Sequence, residues 1–210
     1  MIAENLSLLL VATPLIAAPF TALLPAGRLP WLSALVVTWI SLVLAAWQLW
    51  LVADGSIISY ELGGWAPPWG IEYRIDALNA LVAFIVAGIG AITLPYALRS
   101  VAQEIPRRQT PYFYAAFLLC FDGLLGITQT GDIFNLFVFL EISSLSSYAL
   151  ISMGQNRRAL TAAYQYLIMG TIGATFLLIG IGLVYSETGT LNMLDLNTRL
   201  HGIFDQRTVH

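Results

Sequence analysis

The sequence contains no lysine. Nine arginines carry all of its fixed positive charge, and 210 residues include two histidines and one cysteine. Charged residues make up 10% of the chain, against about 25% in a soluble domain. Each shortage excludes something. Cys120 sits alone in an apolar run, so it forms no intrachain disulfide and anchors no metal site. It reads as a small packed hydrophobe. His201 and His210 both lie in the polar tail, which excludes histidine catalysis in the apolar part. A net charge of -3, thinly spread, offers no surface for nucleic acid. Gly-x-Gly-x-x-Gly, Gly-x-x-x-x-Gly-Lys and Cys-x-x-Cys are all missing. The expectation is therefore no cofactor, no bound metal and no soluble-enzyme site. The N-terminus lacks a basic segment and reads as a retained helix rather than a cleaved signal peptide.

What is present is apolar. Hydrophobic residues reach 58%, and the mean hydropathy is +0.78. Residues 5–27, 29–53, 77–98 and 159–186 hold no charge; 109–131 hold only Asp122 and 133–156 only Glu141. A helix of about 20 apolar residues crosses a bilayer. The windows predict six transmembrane helices, near 5–27, 31–53, 77–98, 111–129, 132–153 and 159–186, with a tail at 187–210. The expected fold is an all-α membrane protein.

Arginines orient it. Arg28, Arg99, Arg107, Arg108, Arg157 and Arg158 all fall in alternate connections, while the opposite short connections hold only Arg74. The arginine loops should face the cytoplasm and the N-terminus should be extracytoplasmic. The connection at 54–76 contains two β-prone runs, "IISYEL" and "IEYRI", around a Gly/Pro-rich turn. It predicts a short extracytoplasmic β-hairpin between helices 2 and 3. Tyr60, Trp65, Trp69 and Tyr73 would suit the headgroup interface. In the tail, "LNMLDLNTRLHGIF" suits a short amphipathic helix on the surface.

Three polar groups interrupt the apolar spans. Glu141 lies about 15 Å from either end of its helix, near the membrane midplane. An acid there costs about 2.5–3.5 kcal/mol and marks a functional site by default. Phe134, Phe137, Val138, Ser144, Leu145 and Tyr148 share its face, and Ser144 and Tyr148 can donate hydrogen bonds to it. Ser143, Ser146 and Ser147 on the opposite face permit close packing, which places this helix inside a bundle. Glu141 reads as a proton carrier, with a protonated, hydrogen-bonded structural glutamate as the alternative. Asp122 reads equally as a second relay group or as a structural bond between helices. So does Gln165, whose amide can hold a water chain but cannot supply a cation.

The stretch "GDIFNLFVFLEISSLSSYALI" resembles the fifth transmembrane helix of the antiporter-like membrane subunits. That family includes the D subunits of Mrp-type multisubunit cation/proton antiporters. It also includes the proton-pumping subunits of respiratory complex I and of membrane-bound hydrogenases. "YELGGWAPPWGIEYRIDALNALV" and "YSETGTLNM" are similar to the hairpin and the segment after helix six in that family. The beginning and end of the match look most like the Mrp D type. The resemblance implies that Glu141 is the helix-five glutamate, which pairs with a lysine on helix seven. It implies that residues 1–210 are the N-terminal six-helix part of a longer subunit. Gln165 stands where helix six often carries a lysine, and Asp122 matches no family feature. The implied function is monovalent cation (Na⁺)/proton antiport in a bacterial plasma (inner) membrane. The implied partners are other membrane subunits, the lipid bilayer, protons and Na⁺. The alternatives are a translocating subunit of a complex I-like oxidoreductase or hydrogenase, or a non-conducting structural module. The chain itself reads as a transporter subunit rather than an enzyme.

Overall fold

The structure, a computed structural model, describes residues 2–207. Seven helices and one hairpin follow in order: α1 (Ile2–Leu23), α2 (Leu29–Val52), β1 (Ile58–Glu61), β2 (Glu72–Ile75), α3 (Ala77–Glu104), α4 (Thr110–Gln129), α5 (Ile133–Ser152), α6 (Arg157–Thr188) and α7 (Met193–Arg207). Six of the helices are long and apolar enough to cross a membrane. His210 lies outside the described residues.

Local chemistry sets the boundaries. Asp76, Asp132 and Asn156 cap α3, α5 and α6 by accepting from first-turn N–H groups, which otherwise lack partners. Gly189 ends α6 in the left-handed conformation, at φ 68°, where a side chain would be strained. α1 stops at Leu23, short of the expected residue 27. Pro25 disfavours helical geometry in the residue before it. α3 runs on to Glu104, past the expected residue 98, because Arg99 does not stop a helix; Pro106 follows its end. The tail helix forms as α7.

α4 is the hub. It packs on α1, α3 and α5, and also touches α2. The share of buried residues falls from 56% in the α4 span to 17% in α5 and 6% in α6. The expectation that α5 sits inside a bundle is therefore corrected. Within this chain α5 lies near an edge, covered by α4 on one side and α6 on the other. The α4–α5 seam is close because α4 presents glycines. A Cβ on Gly123 would lie 2.6 Å from the Phe139 carbonyl oxygen and 2.7 Å from the Ser143 nitrogen. Gly126 lies directly against the Phe139 ring.

The hairpin is antiparallel, with Ile58 opposite Ile75 and Glu61 opposite Glu72. Trp65 and Trp69 are exposed, but Tyr73 is 3% exposed. Its ring packs on Phe139, with centroids 6.5 Å apart, because β2 is pressed onto the ends of α4 and α5. Tyr73 pairs with Thr130 and Asp132 with Asn192 in isolated bridges. The Gly131 N–H donates to the Glu72 carbonyl at 2.8 Å.

Candidate functional site

Glu141 sits midway along α5 and is partly buried. The α4-facing side of α5 consists of Phe139, Ser143 and Ser146, all buried. At about 100° per residue, Glu141 points to the other side. Phe134, Val138 and Leu145 flank it there and are exposed. The carboxyl thus lies on the side of α5 turned from α4, between exposed Phe134, Val138 and Leu145 and the buried Tyr148, which meets α6.

The expected hydrogen bonds to Glu141 do not form among the described residues. Tyr148 instead turns to α6. Its hydroxyl lies against Gly170, and its ring meets Tyr166 edge-on at 4.9 Å. Ser144 is partly buried and makes no side-chain bond among the described residues. On the other side Ser143 and Ser147 do bond. Ser147 donates to the Ser143 carbonyl at 2.9 Å, and its Oγ lies 3.3 Å from Cys120 Sγ. Cys120 fills the seam, as its small size suggested.

Gln165 is exposed, between exposed Tyr164 and Tyr166. The interhelical bond considered for it does not form among the described residues. The cause is the position of α6 at the edge of the chain.

Asp122 is the opposite case. It is 0% exposed, and neither carboxyl oxygen has a hydrogen-bond partner. It lies two turns from Gln129 on one face of α4. That face points to α1 and α2, since Gln129 Oε1 accepts from Gln48 Nε2 at 2.7 Å. Gln48 Nε2 also donates to Ser7 Oγ at 3.1 Å. Asp122 therefore lies across the α4–α5 seam from Glu141, and the structure does not bring the two acids together. The Ser7–Gln48–Gln129 set was missed from sequence. Two amides in apolar spans were its visible signal, but nothing local showed that they meet.

A second missed cluster lies at the hairpin. Glu72 is 5% exposed. It accepts from Ser59 Oγ at 2.6 Å and from Asn192 Nδ2 at 2.9 Å, with Arg74 at 3.9 Å. It ties the hairpin to the α6–α7 junction. Two neighbours titrate abnormally. Burial pushes the Tyr73 hydroxyl up to about 12; the Asp122 charge adds to this, and a hydrogen bond with Asn135 opposes it. Burial also raises the Asp132 carboxyl, against the N–H groups of Asn135 and Phe134. Among the described residues no cluster of His, Cys, Asp and Glu could hold a metal.

Six helices long and apolar enough to cross a membrane define the class: a multi-pass membrane protein. The family model for NADH dehydrogenase I, subunit N related protein, matches residues 97–206. This chain belongs to that family. It is 43% identical to NADH-quinone oxidoreductase subunit N of Desulforudis audaxviator (strain MP104C) over 98% of this chain and 41% of that protein. It is 32% identical to the D subunit of the Na(+)/H(+) antiporter of Bacillus subtilis (strain 168) over 77% of this chain and 32% of that one. Among solved structures, it superposes on a chain of the membrane-bound sulfane sulfur reductase, an archaeal respiratory membrane complex, with a TM-score of 0.85. The identity there is 35%, over 91% of this chain and 39% of the other. The Mrp complex from Dietzia sp. DQ12-45-1b contains a chain matched at a TM-score of 0.78 and 29% identity, over 91% and 36%. The chain thus spans about two-fifths or less of these relatives. Its relatives are subunits of multisubunit membrane complexes of the antiporter or complex I-like kind.

Proposed function

We propose that the chain is a proton-translocating membrane subunit of a multisubunit monovalent cation (Na⁺)/proton antiporter, with Glu141 as the proton carrier. One observation carries this reading: the mid-span carboxyl of α5 faces away from the chain's own packing seam, with no partner among the described residues. A charge left toward lipid would be costly, so the face suits contact with a further helix or a hydrated path. The resemblance supplies a lysine-bearing seventh helix for that role. Asp122, enclosed among α1, α2 and α4, is the candidate for a second protonatable group.

The test is Glu141→Gln in the complete complex. Assembly should survive, and cation-driven proton flux in vesicles should fall at least tenfold. Full flux in that variant would sink the proposal. A second reading, a complex I-like parent, is favoured by the 43% identity to subunit N. Quinone-coupled rather than Na⁺-driven proton flux, lost in the same variant, would select it.

The proposed location is a bacterial plasma membrane, with the arginine loops cytoplasmic and the hairpin outside. The arginine distribution supports it. With Cys120 replaced by serine, a cysteine at Ala66 should react with an impermeant thiol reagent in whole cells, and one at Gln155 should not. The reverse pattern overturns the orientation.

A further inference from the structure

At the arginine end of the bundle lies a cavity of about 680 Å³. Val101 of α3, Ile105 just beyond its end and Tyr114 of α4 line it, and all three are buried. Arg28, Arg99 and Arg107 stand on its rim, and all three are exposed. They come from three places in the chain: the start of α2, the last turns of α3 and the turn before α4. No carboxylate lines the cavity. The ion pairs among the described residues are Glu72–Arg74 and Asp195–Arg199, so none of the three arginines has a carboxylate partner there. The starts of α2 and α4 reach the rim at Arg28 and Thr110, opposite in sign to the last turn of α3, so the arginines carry the net positive charge of the cavity. Neither Arg28 nor Gln109 caps its helix with a side chain, unlike Asp76, Asp132 and Asn156. Uncapped first-turn N–H groups carry partial positive charge and favour anions.

We propose that this cavity binds an anionic phospholipid, its phosphate among the three arginines and an acyl chain along Val101 and Ile105. The shared chemistry is that of a phosphate monoanion. A soluble phosphate would use only the rim, whereas the apolar wall suits a ligand with a hydrocarbon tail. Basic pockets between helices at a membrane surface are suited to such headgroups.

The experiment uses the protein in the assembly with which it copurifies, placed in nanodiscs of phosphatidylglycerol or of phosphatidylcholine. Native mass spectrometry then counts the lipid retained. Phosphatidylglycerol should stay bound and phosphatidylcholine should not. Each arginine-to-glutamine change should weaken retention roughly fivefold, and Arg28→Gln/Arg99→Gln/Arg107→Gln together about a hundredfold. Ala102→Phe, which fills the cavity and spares the arginines, should also lose the lipid. Arg157→Gln/Arg158→Gln, in another loop at the same end, should keep it. Equal retention of both lipids, equal loss in the loop control, or displacement by millimolar glycerol phosphate would each overturn the proposal.

Discussion

Glu72 and Asn192 offer a test in which one hydrogen bond is reversed rather than removed. Glu72 Oε2 accepts from Asn192 Nδ2 at 2.9 Å, and Ser59 donates to the other oxygen at 2.6 Å. Asn192 Oδ1 accepts from the Leu194 and Asp195 N–H groups. Glu72→Gln keeps an oxygen for Ser59 but sets an amide against the Asn192 amide. Asn192→Asp keeps an oxygen for the two N–H groups but sets a carboxylate against the Glu72 carboxylate. A buried hydrogen bond to a charged group contributes about 1.5–3 kcal/mol, so each single change should cost about 2–3 kcal/mol. Combined, the new amide of residue 72 donates to the new carboxylate of residue 192. The pair is restored with its polarity reversed, and the double variant should recover at least about 1 kcal/mol of the summed loss. Denaturant unfolding in micelles measures this directly. For a chain of this length, 1 kcal/mol corresponds to roughly 2–4 °C in Tm. Simple additivity of the two losses would refute the reasoning. It would mean that the hairpin is held by its backbone bonds to Gly131 and Thr130, with the side-chain tie contributing nothing.

The α4–α5 seam predicts opposite outcomes for two glycines. Gly123→Ala meets backbone at 2.6 Å and should cost about 1–3 kcal/mol. Gly173→Ala meets nothing within 4 Å and should be neutral or stabilise α6 by about 0.5–1 kcal/mol; equal effects in unfolding assays would contradict the packing described. For the buried amides, Gln129→Leu strands a donor of Gln48 and should cost about 1–3 kcal/mol. Gln48→Leu/Gln129→Leu should cost less than that single change, and a larger loss in the double would argue against the pairing. Asp132 makes a pH prediction. Its folded pKa lies above the ordinary 3.8, so the native state binds the proton more tightly than the unfolded one. Stability from this group is present at acid pH and is lost as pH rises through the raised value. Asp132→Asn keeps the cap and should remove that dependence. Asp132→Ala removes the same dependence and also loses the cap, so it should lie below Asp132→Asn by about 1 kcal/mol at every pH; unfolding midpoints of all three proteins at acid and at neutral pH check this.

Much of the fold was legible because lipid enforces a simple code. A helix satisfies its own backbone, so long uncharged runs could be little else. The charge-free windows placed the starts of α3 and α5 to within a residue, and the Gly/Pro-rich stretch between "IISYEL" and "IEYRI" announced the hairpin. Tyr73 was misjudged as an interface anchor because composition cannot tell a ring in the headgroups from one pressed onto Phe139.

The sequence by itself determined that Glu141 lies mid-span and that arginines gather at alternate connections. Those are properties of a linear order. Only the tertiary structure decided what each polar group meets, because contact depends on how helices distant in sequence are rotated against one another. It turned Gln165 outward, joined Gln48 to Gln129, enclosed Asp122 and brought Arg28, Arg99 and Arg107 to one cavity. It set Glu141 on the far side of α5 from α4. Glycines at 123 and 126 let α4 approach the serine face of that helix, which leaves the glutamate face for something else.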